Sequence, residues 1–106
     1  MKGTEGPLVL VVDDDAAHRA LYADTLREHG FRVTEASDGG QAMISLKGKG
    51  PDLVVSDVRM PGPGGLELLR LARECCPHLP FLLVTAYPDV REAVTALKLG
   101  DRKSVV

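Results

Sequence analysis

Three short stretches of this sequence end in oxygen-bearing side chains. Asp13, Asp14 and Asp15 follow the apolar run Leu8–Val12, Asp57 follows Leu53-Val54-Val55-Ser56, and Thr85 follows Phe81–Val84. Carboxylates gathered in one place repel each other unless a cation lies among them. An all-oxygen donor set with open positions suits a hard ion such as Mg²⁺, which keeps waters and favours a site completed by phosphate. One aspartate of such a set can serve as a nucleophile and form an acyl phosphate. A hydroxyl such as that of Thr85 can hydrogen-bond the new phosphoryl oxygens. Taken singly, each residue has a plainer role, as turn former, helix cap or strand residue. The joint pattern carries the chemistry.

The elements around these residues must bring them together. Leu8–Val12 is a continuous apolar run, mostly β-branched, which suits a strand covered on both faces. A helical period follows through His18, Leu21, Tyr22, Thr25, Leu26 and His29, with Asp15 as N-cap and Gly30 as the stop. Residues 31–36 alternate, with Phe31, Val33 and Glu35 on one side, and read as an outer strand. Asp38-Gly39-Gly40 reads as a turn, and Ala42, Met43 and Leu46 as a short helix. A third strand runs through Leu53-Val54-Val55 into Ser56-Asp57. After a loop rich in Pro and Gly, residues 66–76 are helical, with Leu69, Ala72 and Cys76 on one side. Phe81–Val84 is the fourth strand, and Pro88 opens a helix striped by Val90, Ala93, Val94 and Leu97 and ended by Gly100. Strand and helix thus alternate four times. Right-handed crossovers then give a three-layer α/β fold, one parallel sheet with helices on both faces. Its functional crevice lies beyond the carboxyl ends of the strands.

Composition narrows the function. The chain has 106 residues, 44% of them apolar, and a formal net charge of -2. That is one domain, with no apolar run of the ~18 residues a membrane span needs. The near-neutral balance argues against a phosphate-backbone binder, so no direct nucleic-acid contact is expected. Cys75 and Cys76 are adjacent and fit neither a disulfide framework nor a zinc set. His18, His29 and His78 lack the spacing of ligands or of a triad. A cytoplasmic, reduced domain is expected.

The motifs Val11-Val12-Asp13-Asp14-Asp15, Ser56-Asp57-Val58-Arg59-Met60-Pro61 with Gly65-Leu66-Glu67-Leu68-Leu69, and Val84-Thr85-Ala86 strongly resemble the receiver domain of two-component response regulators. The resemblance runs over residues 8–100 and implies a sheet in the order 2-1-3-4-5. It implies that Asp57 accepts a phosphoryl group from a sensor histidine kinase or a phosphotransfer protein. It implies that Asp13 and Asp14 position Mg²⁺, with Asp14 and Asp57 as direct ligands and Arg59 giving its backbone carbonyl. Thr85 takes the part of the switch hydroxyl, and Tyr87 the position that tunes access to the site. Asp57-Val58-Arg59-Met60-Pro61-Gly62 and Ala96-Leu97-Lys98-Leu99-Gly100 look most like receivers of nitrogen-regulator-type transcription activators, whose output domain lies downstream. Two other functions remain open, a receiver-shaped binding module that is not phosphorylated and an Asp-nucleophile phosphohydrolase.

The sequence also departs from the family. Gly64 replaces the usual Asp of the loop after Pro61. The family's fifth strand carries a lysine that pairs with the phosphorylated site, and by spacing it falls just past Val106. Lys103 lies too early to replace it. The expected organisation is a disordered leader at 1–7, a receiver at 8–100 lacking its fifth strand and last helix, and a non-native tail at 101–106. The codons of that tail can match a common sequencing adapter.

Overall fold

A computed structural model describes residues 6–48, 50–57, 60, 64–84 and 103–105. Five strands, β1 (Leu8–Val12), β2 (Arg32–Ala36), β3 (Leu53–Asp57), β4 (Phe81–Val84) and β5 (Lys103–Val105), form one sheet in the order β2-β1-β3-β4-β5. All neighbours pair in parallel. Three helices belong to the described residues: α1 (Ala16–Glu28), α2 (Gly39–Lys47) and α3 (Gly65–Cys75).

The period of two along each strand sorts side chains into two cores. Val9, Val11, Val55, Leu82 and Val84 face α1 and meet Tyr22 and Leu26. Leu10, Val12, Val54, Phe81 and Leu83 face the other way and meet Ala42 and Leu46 of α2 and Leu68 and Ala72 of α3. This two-sided burial is why β1, β4 and the first three residues of β3 are written as unbroken apolar runs. β2 has a strand neighbour on one side only, and its sequence alternates accordingly. Phe31 and Val33 pack on the α1 side, while Glu35 meets Arg19 and Arg27 of α1 at 3.2 and 3.7 Å.

Capping sets the helix starts. Asp15 accepts from the backbone N–H groups of Ala17 and His18 at 2.9 and 3.2 Å, as expected of an N-cap. Gly30, just past the C-cap His29, has φ 91°, a left-handed conformation that favours glycine. Asp38 caps α2 by accepting from the Gln41 N–H at 2.8 Å, and the Gln41 side chain reaches back to accept from Ser37. Gly39 and Gly40, expected to form a turn, are therefore the first residues of α2.

Three further expectations need correction. The buried stripe of α1 is Tyr22, Ala23 and Leu26, whereas Leu21 is 53% exposed and His29 is exposed. Alanines scattered round this helix blur the period, and the small Ala23 is fully buried. In α3 the buried positions are Gly65, Leu68 and Ala72, with Leu69 only partly buried and Cys76 beyond the helix end.

The third correction concerns the sheet edge. The fifth strand was expected to be missing, yet Lys103, Ser104 and Val105 pair with Phe81, Leu82 and Leu83. The expectation rested on missing family side chains. A parallel ladder is made by backbone groups and needs only a short extended stretch. Residues 103–105, set outside the domain by sequence, thus lie in its sheet. At the other edge Gly6 and Pro7, read as leader, are tied to β2: Arg32 donates its N–H to the Pro7 carbonyl and its Nε–H to the Gly6 carbonyl. The helix expected from Pro88 to Gly100 lies outside the described residues. No helix among the described residues is long and apolar enough to cross a membrane.

Candidate phosphoacceptor and metal site

β1 and β3 are adjacent and parallel, with Val12 paired to Ser56. The next residue of each strand is an aspartate, so the pairing delivers Asp13 and Asp57 side by side at the carboxyl edge. Asp14 follows on the loop to α1. One carboxylate oxygen from each of Asp13, Asp14 and Asp57 lies within 4.8 Å of the others. Asp13 is buried, Asp57 half-buried and Asp14 exposed, so the cluster opens to solvent on the Asp14 side. No other group of three His, Cys, Asp or Glu side chains among the described residues comes together in this way.

Asp13 is the most constrained of the three. One of its oxygens accepts the Asp15 N–H at 2.9 Å, and the other lies 3.6 Å from His18 Nδ1. Its carbonyl accepts from Arg19 Nη1 at 2.7 Å, while its N–H donates to the Ala36 carbonyl at 3.1 Å. Arg19 thereby links the strand end to α1 and to Glu35 of β2. Burial pushes the Asp13 carboxyl up from its ordinary value of 3.8, and the charges of Asp57 and Asp14 push the same way. The Asp15 N–H and His18 pull in the opposite direction without cancelling the rise.

A raised carboxyl pKa in the fold has a definite sign. The folded state keeps the proton to higher pH than the unfolded chain does. The resulting stabilisation is complete below the unfolded value and is lost as pH rises through the raised folded value. The ionised Asp13 carboxylate is therefore less well accommodated in the metal-free fold than in the unfolded chain. Asp13→Asn keeps the acceptor for the Asp15 N–H and removes that charge. In thermal melts without divalent ions it unfolds at a higher temperature than the parent near neutral pH, and the gap closes as pH falls toward 3.8. For a domain this size, about 1 kcal/mol moves the midpoint by roughly 4–8 °C.

α3 begins directly against this site. A Cβ on Gly65 would stand 2.2 Å from the Asp57 carbonyl oxygen and 3.0 Å from a Leu83 methyl carbon. The glycine lets the helix start pack on the Asp57 backbone, and any side chain there would displace it. Beneath it Ser56 is buried, its hydroxyl donating to the Asp57 carbonyl at 3.0 Å.

Of the residues expected at the site, Asp13, Asp14 and Asp57 are brought together. Arg59, Thr85 and Tyr87 lie outside the described residues. β5 runs parallel to β4 with Lys103 beside Phe81, whereas Asp57 stands beside Val84. The Lys103 backbone is thus at the amino end of the sheet, opposite the acids, in keeping with its exclusion as the missing lysine. Gly65 belongs to one of the sequence motifs but was given no role there, and neither Arg19 nor the approach of His18 was foreseen. Gly65 had a signal, as the last glycine of the loop before a helix that must abut a strand end. Arg19 and His18 had only their place in the first turns after the Asp13 loop.

Residues 9–106 match the family model described as the response regulator receiver domain. The chain is 42% identical over 92 residues to the transcriptional regulatory protein ZraR of Klebsiella oxytoca, covering 87% of this chain and 21% of that protein. It is 38% identical over 93 residues to the DNA-binding transcriptional regulator NtrC of Salmonella typhimurium, covering 88% and 20%. The chain thus spans about a fifth of the length of these curated relatives. Among solved structures, the response regulator protein TrrA of Thermotoga maritima in complex with Mg²⁺ and beryllofluoride superposes with a TM-score of 0.77 at 31% identity, covering 94% of this chain and 85% of that one. A response regulator receiver protein from Pseudomonas putida gives 0.75 at 32% identity, covering 94% and 85%.

Proposed function

The chain belongs to the response regulator receiver domain family, and from that membership we propose that it takes a phosphoryl group from a sensor histidine kinase or phosphotransfer protein onto Asp57. The observation that carries this reading is the meeting of Asp13, Asp14 and Asp57 at the ends of two adjacent strands. Asp57 acts as the nucleophile. It stands at the end of the central strand β3, half-buried, with its backbone held by Ser56 and packed by Gly65.

The Asp57 carboxylate attacks the phosphorus of a phosphohistidine. An O–P bond forms as the N–P bond breaks, and the imidazole leaves. The product is an acyl phosphate, formed once per receiver rather than turned over. The donor set fits Mg²⁺, since three carboxylates in one small space, one of them held above its ordinary pKa by burial and like charge, call for a cation. Asp14 and Asp57 would ligate it directly, Asp13 would orient it, and Arg59 would add its backbone carbonyl. When bound, Mg²⁺ offsets the charge of the acids and polarises a phosphoryl oxygen. Thr85 would move toward the phosphoryl group and couple it to the partner-binding face. ZraR and NtrC are transcriptional regulators by name, so a transcription-regulating output, in a cytoplasmic protein, is the reading for the whole molecule.

Beryllofluoride with Mg²⁺ imitates the acyl phosphate and accompanies the related Thermotoga protein. Added together, the two raise the melting temperature of this chain. At 100 times its dissociation constant a ligand of the folded state adds about 2.7 kcal/mol. Asp57→Ala loses that gain. An unchanged melting temperature in the parent would overturn the reading.

A further inference from the structure

Cys75 and Cys76 are the chain's two cysteines, and both are free thiols. They stand at the carboxyl end of α3, where Cys76 is the C-cap. Asp57 lies against the start of the same helix. Eleven residues at about 1.5 Å each separate the two ends by roughly 16 Å. The thiols are therefore not part of the acidic site.

Their sulfurs are 3.1 Å apart, and Cys75 is exposed. The backbone around them is fixed, with the Cys76 N–H donating to the Ala72 carbonyl at 2.7 Å and the Leu79 N–H to the Cys76 carbonyl at 3.1 Å. Two soft donors held this close form a chelating pair, and their span selects the guest. Tetrahedral zinc, with Zn–S bonds of about 2.3 Å, holds its sulfurs about 3.8 Å apart and needs two further protein ligands. Among the described residues, no group of three metal-binding side chains includes this pair. A linear two-coordinate ion spreads its sulfurs further still. A trivalent arsenic centre is pyramidal, with bond angles near a right angle, and accepts the short span.

We propose that Cys75 and Cys76 together bind a trivalent arsenical as a two-sulfur chelate. With an arsenous acid, two S–As bonds form and two As–O bonds break. The thiol protons leave with the two hydroxyls as two waters. Arsenic stays trivalent, so no oxidant is needed. The hydrogen bond with Cys75, then burial, holds the Cys76 thiol above its ordinary pKa, so it meets the ligand protonated.

The test treats the full chain with phenylarsine oxide, whose oxygen leaves as one water, then washes it with excess monothiol and reads the intact mass. The parent retains one phenylarsenic per chain, and a dithiol strips it. Cys75→Ser and Cys76→Ser, each left with one S–As bond, lose the adduct in the monothiol wash on the order of 100-fold faster, because the second bond of the parent is intramolecular. Equal loss from parent and variants would overturn the proposal, as would retention by either variant. Should a variant misfold, the parent alone decides, since stripping by monothiol contradicts a chelate.

Discussion

Asp57→Ala brings covalent labelling of the chain by acetyl phosphate and Mg²⁺ down to background. The substitution removes the only atom to which the account allows phosphorus to bond, so the effect is a loss of product. Asp13 and Asp14 do not take its place. Asp13 is buried and committed to the Asp15 N–H, and Asp14 lies on the loop beyond the strand end. The fold survives, because Asp57 is half-buried and its neighbours Val54, Val55 and Ser56 still fill the sheet. The measurement is intact mass after treatment, with a thermal melt to show that the variant is folded. Undiminished labelling of a folded variant would move the nucleophile elsewhere.

Phe81→Ala removes a large share of the domain's stability. Phe81 is fully buried, the largest of the fully buried side chains, and lies in the core between the sheet and the layer of α2 and α3. Emptying such a site costs about 3–5 kcal/mol. Small domains hold only about 5–15 kcal/mol in total. The same strand position pairs on both sides, with Val54 of β3 and Lys103 of β5, so the cavity opens against a strand that is held by both neighbours. In urea the variant loses the cooperative transition of the parent or shifts it to far lower denaturant. Leu66→Ala, at a residue 61% exposed, changes the midpoint little, within about 0.5 kcal/mol. Equal behaviour of the two variants would contradict the placement of the core.

The parts of the molecule readable from sequence are those where burial is two-sided. β1, β4 and the start of β3 are apolar without interruption because both of their faces are covered. Asp13 and Asp57 could be placed at one edge because parallel strands in one sheet bring their carboxyl ends together. Asp15 and Gly30 could be read because a capping oxygen and a left-handed backbone each demand particular residues. What escaped has weaker local demands. The inward face of α1 includes a small alanine, Ala23, beside Tyr22 and Leu26, while the large Leu21 faces out. β5 is a matter of backbone pairing, to which the missing lysine is irrelevant. Gly39 and Gly40 look like a turn and are held in a helix by the Asp38 cap. Gly65 is required by a tertiary approach to the Asp57 carbonyl, of which its place as the last glycine before a helix is only a partial sign. The contacts of Arg19 and His18 with Asp13 depend on how α1 leaves the strand end.

The most direct test of the phosphoacceptor assignment treats the parent chain with acetyl phosphate, with and without Mg²⁺, reduces it with borohydride and maps the peptides. Borohydride converts an aspartyl phosphate to homoserine and so marks the residue that carried phosphorus. The account predicts homoserine at position 57 alone, formed only when Mg²⁺ is present. Homoserine at position 13 or 14, or equal conversion at position 57 without Mg²⁺, would contradict it.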